Sequence, residues 1–535
     1  MSAQNASIPR QRRGPTVPSL RDRIERGGQE QDVGRPSVVR NVSVVAVAQV
    51  ITWTATFLFI LAQARYLDPA RFGELSLALS YSVILGVVVD FGLSTKLARD
   101  VAQRPEAAGQ ALVASFAARV ALWLVAMPLV WGSTVILGYD AELRASILIL
   151  GAALLIGGFA ASLGAYFQGR EAFLFPSLGS IAQRGSAALL GVAALAMGHG
   201  IVVVACVYVV ASLVQVLVMI PGLRKHPVSS AVLERAAVVE MFRGTATLGC
   251  FWILGAFYYN VDMVILQRLL PPENVAWYAA AYRLFNASTM VVGFALGTVL
   301  YPVLSRLSVD SREALRGALE RSFSFVLASG VFLALTLVIG ADQLVALVYP
   351  AHDYAQAASA LRLLAPGLVG MYANGIFYLA LIAMGFERRL LVMAAVLAVL
   401  NPLANLVVIP LLQQNGAALL TSATEAIVLV WVLALTPKDL RTAARPAVAL
   451  KVVTAAIAAA APLLLLRDSS IFISVPIAGI VYLTIALALG IVPANDLRYL
   501  RSRFLSSRPA ARQVDTESDL VVADGARAVS ESRGA

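Results

Sequence analysis

The chain has 535 residues, of which 59% are hydrophobic and 14% charged, with a mean hydropathy of +0.78. Soluble globular domains carry about 45–50% apolar and about 25% charged residues, so a string of soluble domains is excluded and a bilayer-embedded chain is expected. Cys206 and Cys250 lie in apolar runs without a CxxC partner. They read as small core fillers, which leaves no metal site and no disulfide framework. The GxxxxGK[ST] loop that wraps backbone N–H groups around a nucleotide's phosphates is absent. Any transport must therefore run on a gradient, on the cargo's own gradient or on a partner; no cofactor and no nucleic-acid partner are expected.

In chain order, residues 1–40 form a basic tail rich in Arg, Gln, Pro and Gly, with no apolar run that would serve as a signal segment. A helix needs about 20 mainly apolar residues to cross the hydrocarbon. About fourteen such segments follow. They cover 41–64, 73–95, 108–137, 144–167, 174–198, 201–223, 241–267, 276–305, 318–340, 357–385, 390–412, 416–437, 446–466 and 471–492. Gln183-Arg184 interrupts the fifth, and the turn between the last two is very short. Residues 493–535 form a second polar tail, expected to be disordered like the first.

Charge in the loops tests this segmentation. With the N-terminus inside, roughly 33 of the 42 Lys and Arg lie on inside segments, among them Lys96, Arg224, Arg243, Arg312, Arg388 and Lys438. About five lie outside (Arg65, Arg71, Arg144, Arg268, Arg467). This asymmetry predicts an even number of spans in the cytoplasmic (inner) membrane, with both termini cytoplasmic.

A repeat organises the spans. Arg65-Tyr66-Leu67-Asp68-Pro69-Ala70-Arg71-Phe72-Gly73 recurs as Arg268-Leu269-Leu270-Pro271-Pro272-Glu273-Asn274-Val275-Ala276. Each copy joins the first two spans of a six-span group, on the same membrane side. Gln168-Gly169-Arg170 and Gly385-Phe386-Glu387-Arg388 each follow the fourth span of a group. The expected fold is all-α and polytopic, with two six-helix lobes related by a pseudo-two-fold along the membrane normal and two extra C-terminal helices. The lobes are expected at 41–223 and 241–437, with a linker at 224–240 and the extra pair at 438–492. Parallel repeats of this kind place substrate between lobes that rock.

Ionisable residues within spans are costly, so each is a functional candidate. Arg119 and Arg184 fall about ten residues from the inside end, roughly 15 Å deep. They are expected either to contact substrate or to form a buried pair with Asp90 or backbone carbonyls. Arg283 and Arg362 are approached from outside. Counting from the short loop between the seventh and eighth spans puts Asp262 level with Arg283. That pair is read as a structural ion pair, or as a gate broken by substrate or protonation. Glu425 and Asp90 complete the acidic set for coupling or gating. Arginine forks match phosphate oxygens and stay charged when desolvated. The set Arg119, Arg184, Arg283 and Arg362 therefore favours an anionic, pyrophosphate-bearing cargo, where a drug-cation exporter would present acids.

Several local patterns carry a resemblance. They are Leu67-x-Pro69-x-x-Phe72-Gly73 with Asp90-Phe91-Gly92-Leu93 and Ala98-Arg99, then Asp262-Met263-Val264-Ile265-Leu266, Tyr278-x-x-Ala281-Tyr282-Arg283-Leu284 and Tyr301-Pro302-x-Leu304-Ser305. Asn401-x-x-x-Asn405-x-x-x-Ile409-Pro410, Gly416-Ala417-Ala418 and Thr424-Glu425 follow. In this order, over residues 40–435, the chain resembles the polysaccharide-transport family of lipid-linked oligosaccharide flippases, within the multidrug/oligosaccharidyl-lipid/polysaccharide exporter superfamily. The resemblance implies movement of an undecaprenyl-pyrophosphate-type glycan precursor to the outer leaflet through a cationic cavity between two lobes. It implies a transporter and not an enzyme, with membrane lipids and the pathway's glycan polymerase and glycosyltransferases as partners. Lipid II flippases are relatives whose functional arginines do not transfer to positions here. The rivals are a multidrug or cation antiporter of the same architecture and a membrane glycan polymerase or ligase. The short outside loops argue against the last.

Overall fold

The computed structural model describes residues 44–228, 231–295 and 300–491. The tails expected at 1–40 and 493–535 lie outside the described residues, as do residues 229 and 230 of the linker. Every regular element among the described residues is a helix. The first seven are α1 (Val44–Tyr66), α2 (Pro69–Asp90), α3 (Leu93–Gln103), α4 (Ala108–Ile136), α5 (Ala141–Gly169), α6 (Leu174–Ala196) and α7 (Ile201–Lys225). Then come α8 (Arg235–Leu269), α9 (Pro272–Ala295), α10 (Tyr301–Asp310), α11 (Arg312–Ile339), α12 (Ala341–Val348) and α13 (Ala351–Ala383). The chain closes with α14 (Glu387–Leu435), α15 (Lys438–Arg441), α16 (Pro446–Leu465) and α17 (Ile471–Ala488).

Among the described residues, twelve helices are long and apolar enough to cross a membrane. Two details connect this number with the fourteen segments read from the sequence. The 49-residue α14 is two helices merged across Gln413, whose backbone (φ 54, ψ −139) is not helical, and the two parts match segments 390–412 and 416–437. The 24-residue α9 lies where the eighth segment is expected, although it is not among the twelve. Gln183-Arg184 does not interrupt its helix, because α6 runs through both residues.

Local chemistry sets the helix starts. Pro69 opens α2 with a fixed φ, and the Asp68 carboxylate caps the first turn by accepting from the Arg71 N–H at 3.0 Å. Asp140 does the same for α5 through the Leu143 N–H at 2.9 Å. Residues Phe91 (φ 44) and Gly92 (φ 77) both take left-handed backbone and split one span into α2 and α3. Gly92 reaches that conformation without the Cβ penalty.

The helices pack as two groups. In the first lobe α5 packs on α7, α6 on α7, and α2 and α4 on α5; in the second α13 packs on α14, α8 on α14, and α9 and α11 on α13. The appended α16 and α17 pack on each other and on α11. Arg312–Asp439 at 2.7 Å and Arg445–Glu320 at 2.6 Å fasten the chain that leads to them.

The lobes meet along two seams. On one membrane face the two copies of the repeat pack against each other, α2 on α9. A Cβ on Gly73 would stand 2.2 Å from the Pro272 carbonyl oxygen and 3.1 Å from the Ala276 nitrogen. Only a glycine permits this approach, as in close helix pairs within membranes. Phe72, fully buried, reaches into the second lobe and meets Tyr349 and Tyr354 edge-on at 5.8 and 5.6 Å between ring centres. The opposite face bears Lys96, Arg224 and Arg388 and is termed the basic face. There α3 packs on α8, and a Cβ on Gly249 would stand 2.7 Å from the Phe91 carbonyl oxygen.

Candidate functional site

A cavity of about 590 Å³ opens among α2, α5, α6, α7 and α8. Its polar lining comes from Asp90, Gln183, Arg184, Ser212 and Tyr208, and Trp252 on α8 is the second lobe's contribution. Leu79, Val83, Leu150 and Leu154 supply an apolar side. The volume falls within the range of small-molecule sites, about 300–1,000 Å³.

Arg184 is exposed to this cavity and has no hydrogen-bond or ion-pair partner among the described residues. Arg119 is placed differently. Its side chain is 2% exposed and lies behind the cavity wall, where Nη2 donates to Asp90 Oδ1 at 2.7 Å and to Ser94 Oγ at 2.7 Å. Its Nε donates to Ser162 Oγ at 2.8 Å, and Ser162 in turn meets Ser115 at 2.9 Å. Arg119 therefore pairs with Asp90, whose own side chain is 38% exposed, and its Nε and Nη2 are occupied by protein. Asp90 faces both ways: it lines the cavity, and it holds the α2–α3 break by accepting from the Gly92 N–H at 3.2 Å and from Ser94 Oγ at 2.6 Å. Since Asp90 neutralises Arg119, the cavity's net positive charge rests on Arg184.

The ion pair expected between Asp262 and Arg283 does not form. Counting residues from the loop gives depth but not direction around the helix, and the two side chains leave α8 and α9 on different faces. Arg283 points into the first lobe, where it donates to Gln63 at 3.2 Å and to Ser76 at 3.1 Å and stacks 4.3 Å over the Phe72 ring. All three partners are neutral, so among the described residues Arg283 is a second cation without an acidic partner, placed on the seam beside the repeat. Asp262 instead accepts from the Tyr278 hydroxyl and from the Met263 N–H at 2.8 Å, and Tyr278 also meets Thr421 at 3.2 Å.

Glu425 is 1% exposed and accepts from Tyr259 at 2.7 Å, Tyr258 at 3.3 Å and Asn374 at 2.8 Å. Neither Glu425 nor Asp262 has a cationic partner among the described residues, so the second lobe buries two carboxyl groups held by hydroxyl and amide groups alone. Nearby, Asn401 donates to Thr424 at 3.2 Å and Asn405 to Asn401 at 2.9 Å, which ties the two parts of α14 together.

Arg362 lies away from the cavity. It pairs with Asp342 near a pocket between α12 and α13 and the α16–α17 turn. Read from the sequence as a shallow substrate-binding candidate approached from outside, it is a half-exposed cation with its own acid and does not line the central cavity. Sequence reasoning missed Trp252, Tyr208 and Ser212. A tryptophan inside an apolar run gives no sign of facing a cavity, and the serine's period matches ordinary helix packing.

Two lobes of apolar helices around a largely apolar cavity with a few polar groups are the architecture of a multi-pass membrane protein, and solved structures agree in fold. Lipid II flippase MurJ, in an inward closed conformation, superposes with a TM-score of 0.64 at 13% identity, over 85% of this chain and 100% of that one. An inward-facing multidrug resistance MATE family transporter of the MOP superfamily gives 0.57 at 16% identity, over 72% and 96%. A MOP superfamily transporter from Pyrococcus furiosus gives 0.55 at 16%, over 75% and 96%. No curated relative matches. The family described as Polysaccharide biosynthesis protein matches residues 38–308, and MatE matches 252–407. With more than half of its length matched, the chain belongs to the polysaccharide biosynthesis protein family.

Proposed function

We propose that this protein is a flippase that carries a polyprenyl-pyrophosphate-linked oligosaccharide or polysaccharide precursor across the cytoplasmic membrane by alternating access. The observation that carries the reading is Arg184, a cation with no partner in a 590 Å³ cavity that is polar on one side and apolar on the other. A guanidinium left free in such a place suits a phosphate oxygen pair. The headgroup enters from the basic face, taken as cytoplasmic, while the polyprenyl tail stays in lipid. Arg283, held across the lobes by neutral partners only, is available to the same anion when the Gly73–Pro272 seam parts. Both termini are placed in the cytoplasm, and the pathway's glycosyltransferases and glycan polymerase supply and consume the cargo.

The test is reconstitution of the full chain with undecaprenyl-pyrophosphate oligosaccharide and a leaflet-specific readout of the glycan. A charge-assisted hydrogen bond contributes about 1.5–3 kcal/mol. Arg184→Ala should therefore slow translocation by about 10- to 100-fold, with Arg184→Lys in between. Wild-type flux from Arg184→Ala refutes the assignment.

Asp262, Glu425 and Asp90 are the candidates for coupling. Asp262 and Glu425, buried without a cation, take up a proton or a monovalent ion as the cycle resets, whereas Asp90 acts through its pair with Arg119. Glu425→Gln keeps the hydrogen-bonding shape and should leave glycan flux unchanged by an imposed proton or sodium gradient. If that variant's flux still follows the gradient as the wild type's does, Glu425 has no coupling role. The same carboxyl groups favour the second reading, a multidrug or small-molecule cation antiporter. Cation efflux from the same vesicles, lost in Glu425→Gln and indifferent to Arg184→Ala, would establish it.

A further inference from the structure

A second pocket, of about 220 Å³, lies beside the main cavity on the same helices. On α5 the cavity uses Gly157 and the pocket Gly164; on α6 they use Arg184 and Ser180; on α7 they use Ser212 and Gln215. The two spaces are thus offset by one or two helical turns along a common wall. Ser94 joins them, since it lines the pocket and donates at 2.6 Å to Asp90, which lines the cavity.

The lining of the pocket differs in kind from that of the cavity. No charged side chain lines it, and its polar groups are Ser94, Gln168, Ser180 and Gln215. The Gln168 and Gln215 amides have no hydrogen-bond partner among the described residues. Ser180 donates to the Pro176 carbonyl at 2.9 Å and keeps its lone pairs free to accept. Ala161 and Gly164 leave the α5 wall flat. Gln168 is exposed at the end of α5, whereas Gln215 is half-buried within α7, where an unpartnered amide is costly unless something polar visits it.

We propose that this pocket is a saccharide subsite. It would hold the neutral, hydroxyl-rich sugar ring next to the pyrophosphate at Arg184. Each glutamine amide presents one donor edge and one acceptor, which suits vicinal hydroxyl groups. The absence of a cation in the lining disfavours a second phosphate. The space corresponds to about seven water volumes, the bulk of a single six-membered sugar ring. The inference rests on the flippase reading and adds the class of group recognised beyond the phosphates.

Its test is binding of two probes to the purified full chain: undecaprenyl pyrophosphate alone, and the same lipid bearing a neutral disaccharide. Two hydrogen bonds to the sugar correspond to about a tenfold preference for the glycosylated lipid. Gln215→Leu combined with Ser180→Ala should abolish that preference and leave affinity for the bare lipid as in the wild type. Gln168→Leu, at an exposed position that tolerates substitution, should weaken the preference and guards against loss of fold. An unchanged preference in both variants overturns the subsite, as does a wild type that binds the two lipids equally. Arg184→Ala separates the two proposals, because it should weaken both lipids alike. If it leaves both unaffected, the phosphate assignment fails, whatever the sugar preference shows.

Discussion

An Asp90→Ala variant is expected to lose about 3 kcal/mol of stability, near the lower end of the 3–5 kcal/mol typical when one partner of a buried ion pair is removed. The cause is Arg119, whose side chain is 2% exposed and would keep its charge with only Ser94 and Ser162 to answer it. Those two hydroxyl groups place the estimate at the lower end. Asp90→Asn keeps one acceptor oxygen, for Arg119 or for the Gly92 N–H but not for both, so it should cost less than alanine without matching the wild type. The double replacement Asp90→Leu, Arg119→Leu should recover part of the loss, since removing both charges leaves neither one stranded. Thermal unfolding of the detergent-solubilised protein measures all three. Equal melting temperatures for Asp90→Ala and the wild type would contradict the pair's structural role.

The second large effect concerns the seam at Gly73. A valine there would put its Cβ where the Pro272 carbonyl oxygen already lies, 2.2 Å away, and both neighbouring atoms are backbone. Backbone cannot swing aside as a long side chain does, so the lobes must separate on that face. Overpacking of this kind costs about 1–3 kcal/mol. Here the cost falls on one conformation only, the one in which α2 and α9 touch. The population should move toward the conformation open on that face by about 5- to 100-fold. A thiol introduced as Ala276→Cys, in a chain with Cys206 and Cys250 changed to alanine, reports this. Ala276 is fully buried, so its thiol should react slowly with a membrane-impermeant maleimide, and Gly73→Val should accelerate the reaction at least about fivefold. An unaltered rate would show that the seam does not control access.

The sequence carries the spans and the repeat because both are written in long-range composition. Twenty apolar residues mark a crossing wherever they occur, and the recurrence of Arg65–Gly73 at Arg268–Ala276 marks two equivalent turns. The contact between those turns, with Gly73 against Pro272, was not visible in the motif, though the small residue at its ninth position was. Depth was also legible: Arg119 and Asp90 do meet across α4 and the end of α2. Direction around a helix was not legible. Asp262 and Arg283 are level by count, yet one turns to Tyr278 and the other to Gln63 and Ser76. A difference of that size depends on how neighbouring helices rotate when they pack, and no count of residues along the chain contains it. Arg362 shows the same limit at the surface, where Asp342 was the unseen partner.

The break at Phe91 and Gly92 has a mechanical consequence. Its two arms share one contact and divide another: α2 lies against both α9 and α8, and α3 lies against α8 on the basic face. A straight rod gripped at both ends would transmit every tilt of one end to the other. In the alternating-access cycle proposed above, a joint at Gly92 would let the α3–α8 contact part while α2 stays clasped to α8 and α9, so the span would serve as a fulcrum.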